Sequence, residues 1–231
     1  MYPFDETLCD EFYELARLIK SIDPKIRIYA NSFGKGPADF MRFKNLTDIW
    51  CLRNRYCVQH PNWLATIKRF GKEVWTYEAL GPGKANHPYS YYRLMPWRAF
   101  KRGQTGAGFW NYVDYYKTKG WDDTGRPHGY YGVVYGSRIQ NAVDTLSEDI
   151  VPSRRWEAWR EGIEDYQYLY ELQKAIDLTR QSNPQKARQA QRILDTQVDY
   201  VLKRPNDFDA AYQARQNITA ALLQLIDRQL D

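Results

Sequence analysis

The stretch KEVWTYEAL, residues 72–80, combines β-branched and aromatic residues in the manner of a strand, and Gly81-Pro82-Gly83 follows it as a stop. Both flanking stretches have the apolar spacing of helices: HPNWLATIKRFG at 60–71 and YSYYRLMPWRAFKRG at 89–103. Pro96 lies inside the second and predicts a kink or a division there. The stretch is therefore expected to form a strand between two helices.

The same alternation continues in both directions along the chain. Further strands are predicted at residues 2–4, 25–33, 47–56 and 106–116, and further helices at 7–23 and 37–45. Strands that alternate with helices at this spacing predict a parallel sheet with crossover helices, the α/β class. Five strands are too few to close an eight-stranded barrel, so the pattern leaves an open sheet and part of a larger barrel as alternatives.

After residue 116 the pattern changes to a polar loop at 117–129, a short strand at 130–136 and then helices. Ser153 is a candidate N-cap for a long helix. Its buried stripe is expected to be aromatic and apolar: Trp156, Trp159, Ile163, Tyr166 and Tyr170. Two further helices at 184–203 and 207–230 are expected to pack against the sheet. The predicted domains are 1–180 and a helical extension, 181–231.

Composition narrows the classes of function. Aromatic residues make up 16% of the 231 residues, which favours stacking on flat apolar faces such as sugar rings, although an aromatic-rich core accounts for it equally well. The net charge of +5 is dispersed, which argues against nucleic-acid binding. No apolar run approaches the ~18 residues of a membrane-spanning helix.

The sequence also lacks the common cofactor and metal signatures. Three cysteines without a CxxC pair and three scattered histidines indicate neither a disulfide framework nor a metal site. No G-x-G-x-x-G follows a strand and there is no P-loop, which argues against a dinucleotide-binding fold.

Asp5 and Glu6 form an acidic pair between the first predicted strand and helix. In one interpretation, Asp5 or Thr7 simply caps that helix, where negative charge is favourable. In the other, the pair is catalytic. Most glycosidases place two carboxylates on opposite sides of the scissile bond, which neighbours on one strand do not do. Because side chains alternate along a strand, both reach one site only where the strand end bends.

The stretch PSRRWEAWREGIEDYQYLYEL, 152–172, resembles the closing helix of the glycoside hydrolase family 123 catalytic domain and its relatives, the domain-of-unknown-function family 4091. Four other stretches agree in order: YPFDE at 2–6, EVWTYEALGPG at 73–83, residues 92–116 and GVVYG at 132–136. The resemblance covers about residues 1–175. It implies a (β/α)8 barrel that this chain enters at about strand four, with the first half expected in the full-length protein.

The resemblance also implies roles. Glu6 is expected to be the general acid/base, which needs a raised pKa, and Asp5 to stabilise the substrate's acetamido group during substrate-assisted attack. Trp110 matches a family tryptophan and is expected to stack under the sugar. Thr7 stands where a proline is expected.

Residues at strand ends complete the expected substrate-binding set, since strand ends face the site of a barrel. They are Tyr77, Trp110, Tyr112, Asn31 and Glu78. Tyr77 is a candidate donor to the acetamido oxygen. Glu78 is expected either to bind a sugar hydroxyl or to pair with Arg93 or Arg98, and Asn31 either to bind substrate or to form a turn.

The expected function is retaining hydrolysis of β-linked N-acetylhexosamine, N-acetylgalactosamine among the candidates, with no metal or organic cofactor. A carbohydrate is the expected partner, and the resemblance implies an extracellular or periplasmic location. Two alternatives stay open: a non-catalytic carbohydrate-binding or structural module on the same scaffold, and an open-sheet enzyme complete in these residues.

Overall fold

The computed structural model describes residues 1–31, 36–80, 85–113, 132–136 and 150–226. The chain divides into two compact units, one of Met1–Ala79 with Gly103–Trp110 and the other of Leu80–Arg102 with Asn111–Asp231. The polar loop predicted at 117–129 and the stop at Gly81-Pro82-Gly83 lie outside the described residues, as do the ends of the strand predicted to 116 and the helix predicted to 230.

The first unit is an α/β sheet structure, which confirms the predicted class. Its elements are α1 (Asp10–Ile22), β1 (Tyr29–Asn31), α2 (Pro37–Phe43), β2 (Ile49–Arg53), α3 (Asn54–Gln59), α4 (Pro61–Arg69), β3 (Glu73–Glu78) and β4 (Gly106–Phe109). The four strands are parallel and lie in chain order, β1-β2-β3-β4. Their carboxyl ends therefore line one edge of the sheet.

The two faces of this sheet differ. Alternate residues such as Ala30, Trp50 and Val74 are buried in a core that they share with the helices. The helices contribute Phe12, Ala16, Phe40, Phe43 and Ile67, among others. On β3 the intervening residues Trp75 and Tyr77 point to the opposite face and are only half-buried. The helical layer of this unit thus covers one face of the sheet.

Gly106 allows β4 to lie against an aromatic ring. A Cβ atom at this position would stand 2.4 Å from Cγ of Trp75, far inside any real contact. Only glycine therefore fits beside this indole at the point where the strands pair, Trp75 opposite Gly106.

The strand predicted at residues 2–4 is wrong, since no strand is found there. Nevertheless, the Met1 amine donates to the Arg27 carbonyl at 2.5 Å, and the Tyr29 amide donates to the Met1 carbonyl at 2.8 Å. Two neighbouring parallel strands form hydrogen bonds in this pattern, but here the pairing involves a single residue of the N-terminal segment, Met1. The N-terminal segment therefore enters beside β1, in the position of a neighbouring strand, and turns away before pairing further.

The second unit is mainly helical. A π-helical segment at Pro88–Arg93 leads into α5 (Leu94–Lys101). The division predicted at Pro96 is wrong: the change of helix type comes at Arg93, and Pro96 lies in the first turn of α5, where a proline is tolerated. The strands β5 (Val134–Gly136) and β6 (Ile150–Pro152) pair antiparallel, and the first of them was predicted.

Three long helices complete this unit: α6 (Arg154–Ser182), α7 (Pro184–Leu202) and α8 (Ala210–Ile226). Ser153 caps α6 as predicted, with its hydroxyl accepting from the amides of Arg155 and Trp156. The apolar faces of α7 and α8, which were expected to pack on the sheet, are buried with α6 in a helical core. Both sides of the domain boundary predicted near residue 180 lie within this unit.

The buried stripe predicted for α6 is wrong by one position. Ile163 and Tyr170 are exposed, whereas the neighbouring Gly162 and Leu169 are buried. The full buried set is Arg155, Gly162, Asp165, Leu169, Leu172, Ile176 and Thr179. The aromatic residues suggested the wrong face because the true one contains a glycine and an acid, which hydrophobic periodicity does not count.

Asp165 is the acid in that buried face. Its carboxylate accepts from Arg93 Nε at 2.8 Å, from Trp97 Nε1 at 2.9 Å and from Arg215 Nε at 2.8 Å. The π-helical segment, α5, α6 and α8 are thus joined at a single buried charge. Breaking such a pair costs about 3–5 kcal/mol, because the partner charge is left buried and uncompensated.

Gly162 permits this arrangement. A Cβ at 162 would lie 2.5 Å from the Arg93 carbonyl oxygen, a backbone atom that has no flexible end to move. The π-helical segment therefore packs directly on the α6 backbone at this point.

Replacing Gly162 by Ala is expected to lower the free energy of unfolding by about 1–3 kcal/mol, because the added methyl group pushes Arg93 away from Asp165. Urea denaturation followed by circular dichroism measures this. The control is Gln167→Ala, an exposed position on the same helix, which should change little. Equal stability of the Gly162→Ala variant would contradict the close packing.

Candidate functional site

The acidic pair lies ahead of α1 and does not cap it. The helix begins at Asp10, its N-cap residue is Cys9, and Asp10 and Glu11 provide the negative charge of the first turn. The interpretation in which Asp5 or Thr7 caps the helix is therefore wrong. Asp5 and Glu6 are exposed in a bend between the Met1 pairing and the helix.

Glu6 has a left-handed backbone conformation, with φ of 48°. Among the described residues other than glycine it alone has a positive φ. Such a conformation is costly for a residue with a Cβ and is concentrated at functional sites. In an extended chain, neighbouring side chains point to opposite sides. The left-handed conformation of Glu6 bends the chain, which two neighbouring carboxylates need in order to reach one site.

Each carboxylate is held by a tyrosine. The Tyr2 hydroxyl donates to Asp5 Oδ1 and accepts from the Glu6 amide at 3.1 Å. The Tyr77 hydroxyl donates to Glu6 Oε1. Tyr2 thereby joins the two acids, and Tyr77 links Glu6 to the sheet.

The environment of Tyr77 shows how the pair is attached to the strands. Tyr77 is opposite Arg53 in the β2–β3 register, near the carboxyl end of β3. The Arg53 guanidinium stands 5.8 Å from the centre of its ring. Burial raises the pKa of Tyr77, and the Glu6 carboxylate raises it further, while the side chain of Asn31 and the charge of Arg53 act in the opposite direction. The structure thus brings Asn31, Tyr77 and Glu6 together.

Two more rings support this cluster. Tyr2 meets Tyr29 edge to face with ring centres 4.9 Å apart, and Tyr29 lies 5.8 Å from Trp75. Cys51 lies beside Tyr29, and burial raises the pKa of its thiol to about 12. A thiol with that pKa is protonated near neutral pH, so Cys51 is not a ready nucleophile.

Glu78 is buried, with 3% of its surface exposed, and already has partners. Its carboxylate lies 3.6 Å from Arg53 Nε and accepts from the Ala79 amide at 3.1 Å. Arg93 binds Asp165, and Arg98 donates to the Ser90 carbonyl. The suggested pairing of Glu78 with Arg93 or Arg98 stays a prediction. Glu78 therefore stiffens the edge of the sheet beside Tyr77.

Trp110 follows β4 directly, and its amide donates to the Glu78 carbonyl at 2.8 Å, at the carboxyl edge of the sheet. Its side chain is 58% exposed, so it is not a core residue. Tyr112 belongs to the second unit, where its ring meets Trp156 edge to face at 5.0 Å. The expected role of Tyr112 in substrate binding stays a prediction.

Sequence reasoning missed Tyr2 and Arg53. The predicted strand at residues 2–4 includes Tyr2, although its position three residues before Asp5 in a bend allows a direct contact. Arg53 is the last residue of β2, and the register of parallel strands could have placed it beside Tyr77.

No group of three or more histidine, cysteine or acidic side chains within the described residues is arranged to hold a metal ion. No helix in the same part of the chain is long and apolar enough to cross a membrane. No model of a known protein family matches the chain, and no curated protein matches it in sequence.

The pKa of Tyr2 tests the geometry of the pair. It is raised to about 12, by burial and then by the hydrogen bond to Asp5. Replacing Asp5 by Asn removes the negative charge that opposes the phenolate, so the pKa of Tyr2 should fall towards the ordinary value of about 10. NMR titration of ¹³C-labelled tyrosine measures it, with Glu14→Gln as the control.

The raised pKa of Tyr2 also predicts how the stability of the fold changes with pH. Because Tyr2 binds its proton more tightly in the folded chain, its contribution to stability is complete below pH of about 10 and is lost as the pH rises to about 12. A Tyr2 pKa that is identical in the Asp5→Asn variant would contradict the contact.

Proposed function

We propose that the first unit carries the catalytic residues of a glycoside hydrolase that cleaves β-linked N-acetylhexosamine by the substrate-assisted retaining route. The observation that carries this proposal is the tyrosine-held pair Asp5-Glu6 beside the carboxyl end of β3. The left-handed Glu6 supports it, because strain of this kind is kept where a site needs it.

The two acids divide the reaction between them. Glu6, in its protonated form, transfers its proton to the leaving glycosidic oxygen as the C–O bond breaks. The acetamido oxygen of the substrate attacks the anomeric carbon at the same time and closes an oxazolinium ring. Asp5 accepts a hydrogen bond from the acetamido N–H and balances the positive charge that develops there.

In the second half of the reaction Glu6 acts as a base. It takes a proton from water, whose oxygen opens the oxazolinium ring at the anomeric carbon and restores the acetamido group. The two inversions give overall retention, and Glu6 returns to its protonated form. Because the nucleophile belongs to the substrate, both acids can lie on one wall of the site.

The neighbouring side chains suit the binding of such a sugar. The Tyr77 hydroxyl, which donates to Glu6 in the free protein, can donate instead to the acetamido oxygen. Asn31 adds an amide beside it. Trp110 offers an exposed ring at the same edge of the sheet for the apolar face of the sugar.

The barrel architecture is part of the proposal. In a (β/α)8 barrel the strands follow chain order and helices cover the outer face. The strands β1–β4 likewise lie in chain order, with helices packed on one face of the sheet. Met1 pairs in the position of a strand before β1, which suits the proposed fourth strand. The resemblance to glycoside hydrolase family 123 gives the same placement, with N-acetylgalactosamine as the finer candidate for the sugar.

Hydrolysis of aryl β-glycosides tests the assignment. N-acetylgalactosaminide and N-acetylglucosaminide are expected to be cleaved, and galactoside and glucoside not, since these lack the acetamido nucleophile. Glu6→Gln should lower kcat/KM by about 10²–10⁴-fold, the usual contribution of a general acid. Glu14→Gln removes an exposed carboxylate of α1 and should have no effect.

The outcomes separate the alternatives. Full activity of Glu6→Gln, or equal cleavage of sugars without the acetamido group, would contradict the proposed route. Binding of the acetamido sugars without cleavage would favour the non-catalytic module on the same scaffold.

Tyr77→Phe provides a second test. It keeps the ring and removes the hydroxyl, so kcat is expected to fall about tenfold on the acetamido sugars, the equivalent of one lost hydrogen bond. Steady-state kinetics measures this. Tyr13→Phe, a tyrosine of α1 packed on Phe43, is the matched control.

A further inference from the structure

The second unit contains an open cavity of about 670 Å³ that lies outside the proposed catalytic residues. The beginning of the π-helical segment, the start of α6 and the residues from Phe208 to Tyr212 form its walls. This volume is within the usual range of about 300–1,000 Å³ for sites that bind small molecules.

Aromatic rings form the apolar part of the cavity. Phe208 is 54% exposed and Tyr212 is 46% exposed. The Phe208 ring lies 5.1 Å from the His87 ring and 5.4 Å from the Tyr89 ring, between ring centres. Exposed rings grouped in a concave surface are typical of a binding site, because isolated apolar side chains are common on surfaces but grouped ones are not.

One of these rings is held in place from the buried side. The Arg93 guanidinium stands 4.0 Å from the centre of the Tyr212 ring, and the same guanidinium binds Asp165. Tyr212 therefore has a position fixed by the central ion pair of the unit. A preorganised ring loses little freedom when a ligand stacks on it.

The charged lining is balanced. Arg93 and Arg154 face the cavity along with Glu157 and Glu161. Glu157 also binds Arg160, and Glu161 binds Arg215. A strongly anionic ligand would meet the two carboxylates, and a cationic one the two guanidiniums, so neither charge is favoured.

The hydrogen-bonding capacity of the lining points to hydroxyl groups. Carboxylates only accept hydrogen bonds and guanidiniums only donate them, whereas a hydroxyl does both and pairs with either. A ligand with a flat apolar face and hydroxyl groups around its edge can stack on the aromatic rings and bond to the carboxylates and guanidiniums at the same time. A neutral sugar ring has this form.

We propose that this cavity is a binding site for a neutral oligosaccharide, separate from the catalytic residues and not dependent on the proposed hydrolysis. Phe208 and Tyr212 form the stacking surface, and Arg154, Glu157 and Glu161 bind hydroxyl groups around it.

Chemical-shift mapping on the full ¹⁵N-labelled chain tests this site. The probes are maltotriose, cellotriose and N,N′,N″-triacetylchitotriose, added to millimolar concentration. At least one is expected to shift amide signals within 87–93, 152–161 and 207–212. Phe208→Ala should weaken that binding about tenfold, the loss of one stacked ring. Leu178→Ala, which removes an exposed apolar side chain of α6 outside this cavity, should leave it unchanged.

A second variant distinguishes a loss of binding from a loss of folding. Glu157→Gln keeps the size of an exposed side chain and is expected to weaken binding severalfold with an unchanged circular dichroism spectrum. The proposal is overturned if none of the three probes shifts these signals, or if Phe208→Ala and Glu157→Gln both bind as the wild type does. Glu6→Gln should lower kcat/KM of hydrolysis by about 10²–10⁴-fold and leave this binding intact, so failure of the catalytic proposal and failure of this one give different results.

Discussion

The parallel register of the four strands is the constraint on which the candidate site depends. It brings the ends of β1, β2 and β3 to one edge, so that Asn31, Arg53 and Tyr77 become neighbours although they are far apart in sequence. The alternation of side chains then sends the apolar partners of these residues into the helical core on the other face. One pattern of backbone hydrogen bonds thus produces both the stability of the unit and the polar group that faces the acidic pair.

The sequence allowed most of this architecture to be predicted, because regular strands and helices have short-range periodicities. It gave the α/β alternation, the Ser153 cap, β5 and the separate helices α7 and α8. Prediction from the sequence failed for features that depend on contacts between residues far apart in the chain. The ion pair of Arg53 with Glu78 depends on strand register, and the buried face of α6 depends on Arg93 meeting Asp165.

The acidic pair was also only partly predictable from the sequence. Asp5 and Glu6 were identified from their place after a supposed strand, and the need for a bend followed from side-chain alternation. The left-handed backbone at Glu6 and the contact with Tyr2 were not predictable, because a dipeptide does not reveal its dihedral angles. The glycosidase resemblance inferred from the sequence stays a prediction, as do the roles it implies for these acids. The tyrosines give the physical means of holding them.

The close approach of Gly106 to Trp75 has an evolutionary consequence. While the indole is present, no substitution at 106 fits, since every other amino acid brings a Cβ to within 2.4 Å of the ring. The reverse change, from Trp75 to a smaller residue, meets no such barrier. Mutational paths through this pair are therefore ordered: the indole must be lost first, and only then does position 106 become free to vary.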